Sequence, residues 1–528
     1  MGIFFSTAVA SGGSQKPPIP VEISYHLTLH SPAQNQIVVQ GKMLSQKNTT
    51  VTLEELNPTF KPQDFRLYDD AHQKLEIPLR ENGATLRLSK GRPFFFEYWV
   101  KTGPLGKHGH QGYLGKDFGL FIGSQLFLIP FLKKGTPDIT VRFTLPENWN
   151  VVTSWKLQEG VFHPSKSVAP WPDPFAKEVI AFGSFETREE TIGETRLVTS
   201  LSTQWSSSDR DALFHNVSKL YRYLSDLFGS SPGEIYRVVL TPLAEDGEKI
   251  LAPHWAFGMG TALTPSLQRD WELLAHRFFH KFNSDRPLGM EPKYLRDHWF
   301  LEGSAAFYEE IALFESGITL DPLWKWENPR DYYSIAQCTA RYLWNYFVEP
   351  QQMRIPLSED YRVEDAGWID FFHYSYAKLV TALLDMEIRR QTQDTKNLKD
   401  LLFYQHGHYR QEKGSFDLLR DLKAVTGHDF RPFFNASVYS TKLLPLWRLG
   451  EKYPWGTEDL PLQGIPTSYG NPVDPAALDQ AVEKNSPPLP VTEEEAAGLQ
   501  QLKGVPAQAL KVIQRTLLQL KGPRASSY

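Results

Sequence analysis

The chain has 528 residues, of which 41% are hydrophobic and 22% charged, and its formal net charge is −5. These are globular values at a length that predicts two or three domains. The small charge and the absence of a sustained Lys/Arg block argue against a nucleic-acid partner. The one cysteine, Cys338, excludes an internal disulfide and a cysteine-based zinc site, and is expected in a core.

Residues 1–20 read as an N-terminal tail or signal-like segment. Met1–Ala10 is apolar and ends like a signal-peptidase site, yet it is short and lacks a leading basic residue. Met1-Gly2 with Ser6 also fits a loose myristoylation pattern. Both a cytoplasmic and an exported protein are compatible with it. No segment reaches the ~18 apolar residues of a membrane span.

Residues 21–190 read as a β-rich domain. VEISYHLTLH, IVVQGKML, TVTLEEL, ATLRLS and ITVRFTL alternate apolar and polar residues between Pro, Gly and Asn clusters. Phe94–Val100 and Leu126–Leu132 are apolar enough to predict strands buried on both faces. The pattern predicts an antiparallel sandwich. TRLVTSLS (Thr195–Ser202) then reads as a strand, and Ser208–Phe228 as a helix ended by Gly229. Tyr236–Leu240 reads as a central strand, followed by a Gly-rich piece, His254–Thr264.

The stretch Trp271–Glu310 carries the chemistry. His276 and His280 are four apart on a helical pattern, so both imidazoles face one side, one turn apart. Glu302 opens the next helical pattern. Two His and a Glu make a three-ligand zinc set with a fourth position open. In H-E-x-x-H peptidases the residue after the first His is the general base; here it is Arg277, which cannot accept a proton. The alternative is a metal-free relic, with the two histidines and the carboxylate paired to each other or to Arg277. Glu272, one turn before His276, reads as an orienting carboxylate, a substitute base or a solvated helix residue. Of Glu309 and Glu310, one is expected to orient a ligand and the other to lie at the surface. His108/His110 and His406/His408 read as loop residues.

After Glu302 the pattern is helical to about Leu446, most strongly over Tyr374–Arg390. Residues 448–528 read as a Pro-rich linker and terminal helices, with no PDZ pattern. AHRFFHKFN (Ala275–Asn283), WFLEGSAAFYEEIALFESGI (Trp299–Ile318) and YAKLVTALLDMEIRRQT (Tyr376–Thr392) occur in that order. Together they resemble the M61 glycyl-aminopeptidase family, a branch of the thermolysin-like zinc peptidases (gluzincins), over roughly 251–447.

The resemblance implies an α+β multidomain protein. A β-sandwich-like N-terminal domain (21–190) would precede a thermolysin-like catalytic domain (191–447) ending in a helical lobe. It implies zinc on His276, His280 and Glu302, and Tyr376 as the hydroxyl that steadies an oxyanion. It places the substrate motif at Gly258, Met259 and Gly260. Three residues depart from the family pattern. Arg277 replaces the base, Gly260 stands where a carboxylate grips a free amine, and Leu379 replaces a glycine. The expected function is therefore a catalytically impaired peptidase homologue that binds a peptide or protein ligand. The alternatives are an active, atypical zinc aminopeptidase and a non-catalytic scaffold subunit.

Overall fold

The computed structural model describes most of residues 21–451. It excludes 30–35, 58–61, 80–82, 102–111, 165–170, 230–234, 245–249, 253–255, 285–296, 319–337, 347–352, 363–370, 412–416 and a few single or paired residues. The expected tail at 1–20, His108 and His110, and nearly all of the expected 448–528 segment lie outside the described residues. The chain divides into two compact units, one of Met1–Glu186 with Val239–Ala262 and one of Thr187–Val238 with Leu263–Tyr528.

The first unit is built of strands. In order they begin β1 (Val21–Thr28), β2 (Gln36–Ser45), β3 (Thr49–Glu54), β4 (Pro62–Tyr68), β5 (Lys74–Leu75), β6 (Ala84–Leu88) and β7 (Phe94–Lys101). Next come β8 (Tyr113–Leu114), β9 (Phe118–Ile122), β10 (Ile129–Leu132), β11 (Asp138–Thr144), β12 (Asn150–Val152), β13 (Lys156–Gln158), β14 (Val161–His163) and β15 (Val179–Gly183). Eight of them form one sheet, ordered β13-β14-β11-β1-β2-β7-β4-β5. Two smaller sheets are ordered β10-β3-β6 and β12-β15-β9-β8. The large sheet is antiparallel except where β1 runs parallel to β11, which local alternation could not foretell.

One face of the large sheet is buried by period-2 alternation. Ile23, Tyr25 and Leu27 of β1 point into an apolar core with Phe96, Phe127 and Phe175. The Tyr25 hydroxyl donates to the Leu128 carbonyl at 2.6 Å, and its ring meets Phe96 and Phe127 edge-on. The expectation that Phe94–Val100 is buried on both faces is corrected. β7 alternates, with Phe96, Tyr98 and Val100 buried and Phe95, Glu97 and Trp99 partly open. Its outward aromatic residues mimic a fully buried run. Of Leu126–Leu132, residues 126–130 are covered, but the strand is only Ile129–Leu132 and its Phe131 and Leu132 are partly open, so that expectation is corrected as well.

The second unit opens with β16 (Phe185–Ile192, beginning in the first unit), β17 (Thr195–Ser202) and α1 (Ser207–Phe228), then β18 (Ile235–Thr241, ending in the first unit). Ser206 caps α1 by accepting from the Asp209 amide, and Gly229 ends it at φ 70°. α2 (Gln268–Ser284) and α3 (His298–Glu315) follow. A π-helical turn over Phe371–Tyr376 leads into α4 (Ala377–Gln391), and α5 (Leu398–Gln411), α6 (Leu418–Thr426) and α7 (Arg431–Ser437) follow. Tyr221 and Phe228 of α1 pack on Phe278, Phe279 and Phe282 of α2. The loop expectation for His406 and His408 is corrected, since both lie on α5. His406 is buried and its Nδ1 donates to the Phe282 carbonyl at 3.0 Å, covering the last turn of α2. Among the described residues no helix is long and apolar enough to cross a membrane.

Tyr25→Phe removes a buried donor and leaves the Leu128 carbonyl without it. The expected loss is about 1–2 kcal/mol, read as a lower denaturant midpoint for the first unit.

Candidate metal centre

Helix α2 is apolar on most of its circumference. Trp271, Leu274, Ala275, Phe278, Phe279 and Phe282 are all buried, so the helix is held inside its unit and its polar residues have defined surroundings. His276 and His280 project from it one turn apart, and Glu302 meets them from α3. His276 Nε2 lies 2.9 Å from His280 Nε2, and Glu302 Oε2 lies 3.2 Å from His280 Nε2 and 3.4 Å from His276 Nε2. Among the described residues this is the one group of three such side chains able to share an ion.

The triangle fits zinc. Tetrahedral Zn–N and Zn–O bonds of about 2.0–2.1 Å place neighbouring donors about 3.4 Å apart, and the observed edges run from 2.9 to 3.4 Å. Donor chemistry agrees. His276 Nδ1 sits 3.0 Å from Glu309 Oε2, which makes Nδ1 the N–H and leaves Nε2 as a lone pair. Glu309 is in turn held by Lys378, whose Nζ lies 3.5 Å from it and 3.4 Å from Glu310. Lys378 is buried; burial alone would lower its pKa, but Glu310 and Glu309 raise it, so it stays charged.

Electrostatics follow the same geometry. Burial lowers the His276 pKa, but hydrogen bonds and charge from Glu302 and Glu309 overcome that and bring it up to about 9. Glu302 is raised by burial and pulled the other way by His280 and His276, ending well below the usual carboxylate range. Arg277 is buried, which lowers its pKa to about 10 against the raising effect of Tyr236 and Tyr374. It is a cation at neutral pH, with two phenol rings in its field.

The remaining sequence candidates are distributed as follows. Glu272 is buried at 7% exposure and lies in the field of Lys378, so the solvated-helix reading is corrected. Tyr376 is 1% exposed, its ring among Tyr342, Phe371 and Phe372. The tyrosine in ring contact with His276 is Tyr374, at 5.4 Å. Sequence reading singled out Tyr376 through the family resemblance, which carries no signal for Tyr374; both lie on a π-helical turn. Gly258, Met259 and Gly260 lie in the first unit, with the last two in β19 (Met259–Ala262). A Cβ on Gly260 would meet Leu120, Val179 and Ala252 at 2.9–3.3 Å, an apolar surrounding. Cys338 is buried as expected, and burial pushes its thiol up to about 12.

Gly303, next to Glu302, packs directly against α4. A Cβ there would lie 2.6 Å from the Ala377 carbonyl oxygen and 2.7 Å from Thr381 Oγ1. The missing side chain lets α3 sit deep enough to bring Glu302 to the histidines.

No protein-family model matches this chain, and no curated protein matches it in sequence. Solved structures do. The aminopeptidase N family protein from Idiomarina loihiensis has 16% sequence identity and a TM-score of 0.62, covering 81% of this chain and 78% of that one. An M1 zinc metallopeptidase from Deinococcus radiodurans has 14% identity and a TM-score of 0.46, covering 81% and 96%. A mutant of it bound to a Tyr-Ser-Ala substrate gives 15% and 0.46 over the same shares. The first likeness establishes a shared α+β fold.

Two outcomes test this geometry. The unfolded imidazole titrates near 6.5 and His276 near 9, so the folded, metal-free protein binds the proton more tightly. The resulting stabilisation is fully present below pH 6.5 and lost as pH rises through about 9. Tm of chelator-treated protein is expected to fall across that window, and to fall less in Glu309→Gln; a flat profile contradicts the ion cluster. Gly303→Ala is expected to cost about 1–3 kcal/mol by overpacking, measured by thermal unfolding.

Proposed function

We propose that the chain is an M61-like metallopeptidase-type protein that holds zinc on His276, His280 and Glu302 and binds a peptide or protein ligand there. In this reading, ordinary peptide hydrolysis is impaired. The observation that carries the reading is the pairing of an intact donor triangle with a buried cation, Arg277, at the general-base position.

When bound, zinc supplies a Lewis acid that polarises a ligand oxygen and lowers the pKa of coordinated water. The chain's own residues do the rest. Glu309 fixes the His276 tautomer, and Lys378 pairs with Glu309 from the other side. Arg277 cannot accept a proton, and its charge favours a carboxylate-bearing ligand. Gly260 offers no carboxylate to hold a free amine. Tyr376, assigned the oxyanion role by resemblance, is enclosed by aromatic rings, and Tyr374 is the phenol nearer the ligand set.

A second reading, an active but atypical zinc aminopeptidase, is favoured by the burial of Glu272. A carboxylate one turn from His276 and out of bulk water is a candidate substitute base.

Elemental mass spectrometry of wild type beside His276→Ala is the first test. About one zinc per chain is expected, lost in the variant. Absence of zinc from both would overturn the metal assignment. Glu309→Gln is expected to weaken zinc binding about 10–100-fold. The zinc-loaded wild type is expected to cleave aminoacyl amides no faster than His276→Ala. Chelator-sensitive cleavage, abolished by Glu272→Gln, would overturn the impaired reading in favour of the second one.

A further inference from the structure

We propose that the outer face of the eight-stranded sheet in the first unit carries a second ligand site, built for a short acidic saccharide. A cavity of about 490 Å³ opens on that face, within the ~300–1,000 Å³ range of small-molecule sites.

Strand register lays two rows of side chains across it. In one row Arg142 pairs with His26, His26 with Gln40, and Gln40 with Glu97. In the other Ser24 pairs with Lys42, Lys42 with Phe95, and Phe95 with Tyr68. Period-2 alternation sends these residues outward while Tyr25 and Phe96 go to the core.

Charge selects an anion. Lys42 and Arg142 are exposed, and neither makes an ion pair with a carboxylate among the described residues. The carboxylate in the cavity wall, Glu97, is already engaged. It accepts from Gln40 Nε2 at 2.7 Å, with Arg66 Nη1 4.0 Å away. His26 is kept neutral by burial and by Arg142, and its Nε2 shares a hydrogen bond with Thr144 Oγ1 at 2.8 Å. Lys42 and Arg142 stand on strands either side of β1, about 10 Å apart across the sheet. A ligand with carboxylates on successive rings reaches both.

The rest of the wall selects a sugar. His72 stacks on Phe95 at 4.8 Å and 22°, beside Tyr68, giving an aromatic platform. The negative π face of such rings receives the C–H face of a sugar ring. Gln40, Glu97 and the Ser24–Thr140 hydroxyl pair offer mixed donors and acceptors for ring hydroxyls. A peptide added as a strand has no place here, because β1 and β2 are paired along both edges.

The test is titration of the full-length protein with trigalacturonic acid, galacturonic acid and neutral galactose, followed by calorimetry and NMR. Saturable binding of the trimer is expected, weakening with salt. Lys42→Ala/Arg142→Ala is expected to weaken it at least about tenfold. Both positions are exposed, and an unchanged Tm certifies the fold of the variant. Binding of trimer alone supports a polysaccharide end as the source, and binding of the monomer as well supports a free sugar acid. The proposal is overturned by no saturable trimer binding below about 10 mM, by equal affinity in the double variant, by equal affinity for galactose, or by tighter binding of triglutamate.

Discussion

The second unit depends on one chain of largely covered polar contacts running from Lys378 through Glu309 to His276 and on to His280 and Glu302. It ties α4 to α3 and α3 to α2. Lys378 is almost wholly covered, so removing its carboxylate partners leaves an uncompensated buried charge, an error worth about 3–5 kcal/mol. The helices cannot shift independently of the donors they carry. A site that requires three atoms within a few tenths of an ångström of fixed positions is thus built into the core.

Close helix approach supports that chain. Gly303 removes the side chain that would hold α3 away from Ala377 and Thr381. Glu302 precedes it, so the depth at which α3 packs sets the position of the carboxylate. The π-helical turn at Phe371–Tyr376 does comparable work from α4, placing Tyr374 against His276 and Tyr376 among aromatic rings. A regular α-turn would rephase those two residues.

Local pattern made much of this legible. β17 and the α1 helix with its Gly229 stop were readable from periodicity and caps. The histidine spacing and Glu302 were readable because ligation needs specific side chains at helical intervals. Tertiary effects were not. The parallel pairing of β1 with β11 joins residues more than 100 apart, and Val239–Ala262 belongs to the first unit although its neighbours on both sides belong to the second. Glu272 and His406 look like surface residues because burial of a polar side chain depends on distant partners. β7 looked doubly buried because its outward aromatic residues carry no mark of their face. The ring contact of Tyr374 with His276 was not readable, because a motif match singles out one tyrosine and says nothing of its neighbour two residues away.

Charge balance bears on what Arg277 does to the site. Four carboxylates, Glu272, Glu302, Glu309 and Glu310, lie on α2 and α3 along the contacts that lead from the donor triangle to one cation, Lys378, at the start of α4. In the metal-free chain His276 makes up part of the deficit by holding a proton, which is why its pKa rises to about 9. Arg277 is acted on by burial and by the phenols Tyr236 and Tyr374. An excess of carboxylate over cation beside the donor triangle favours a bound dication whether or not residue 277 can take up a proton.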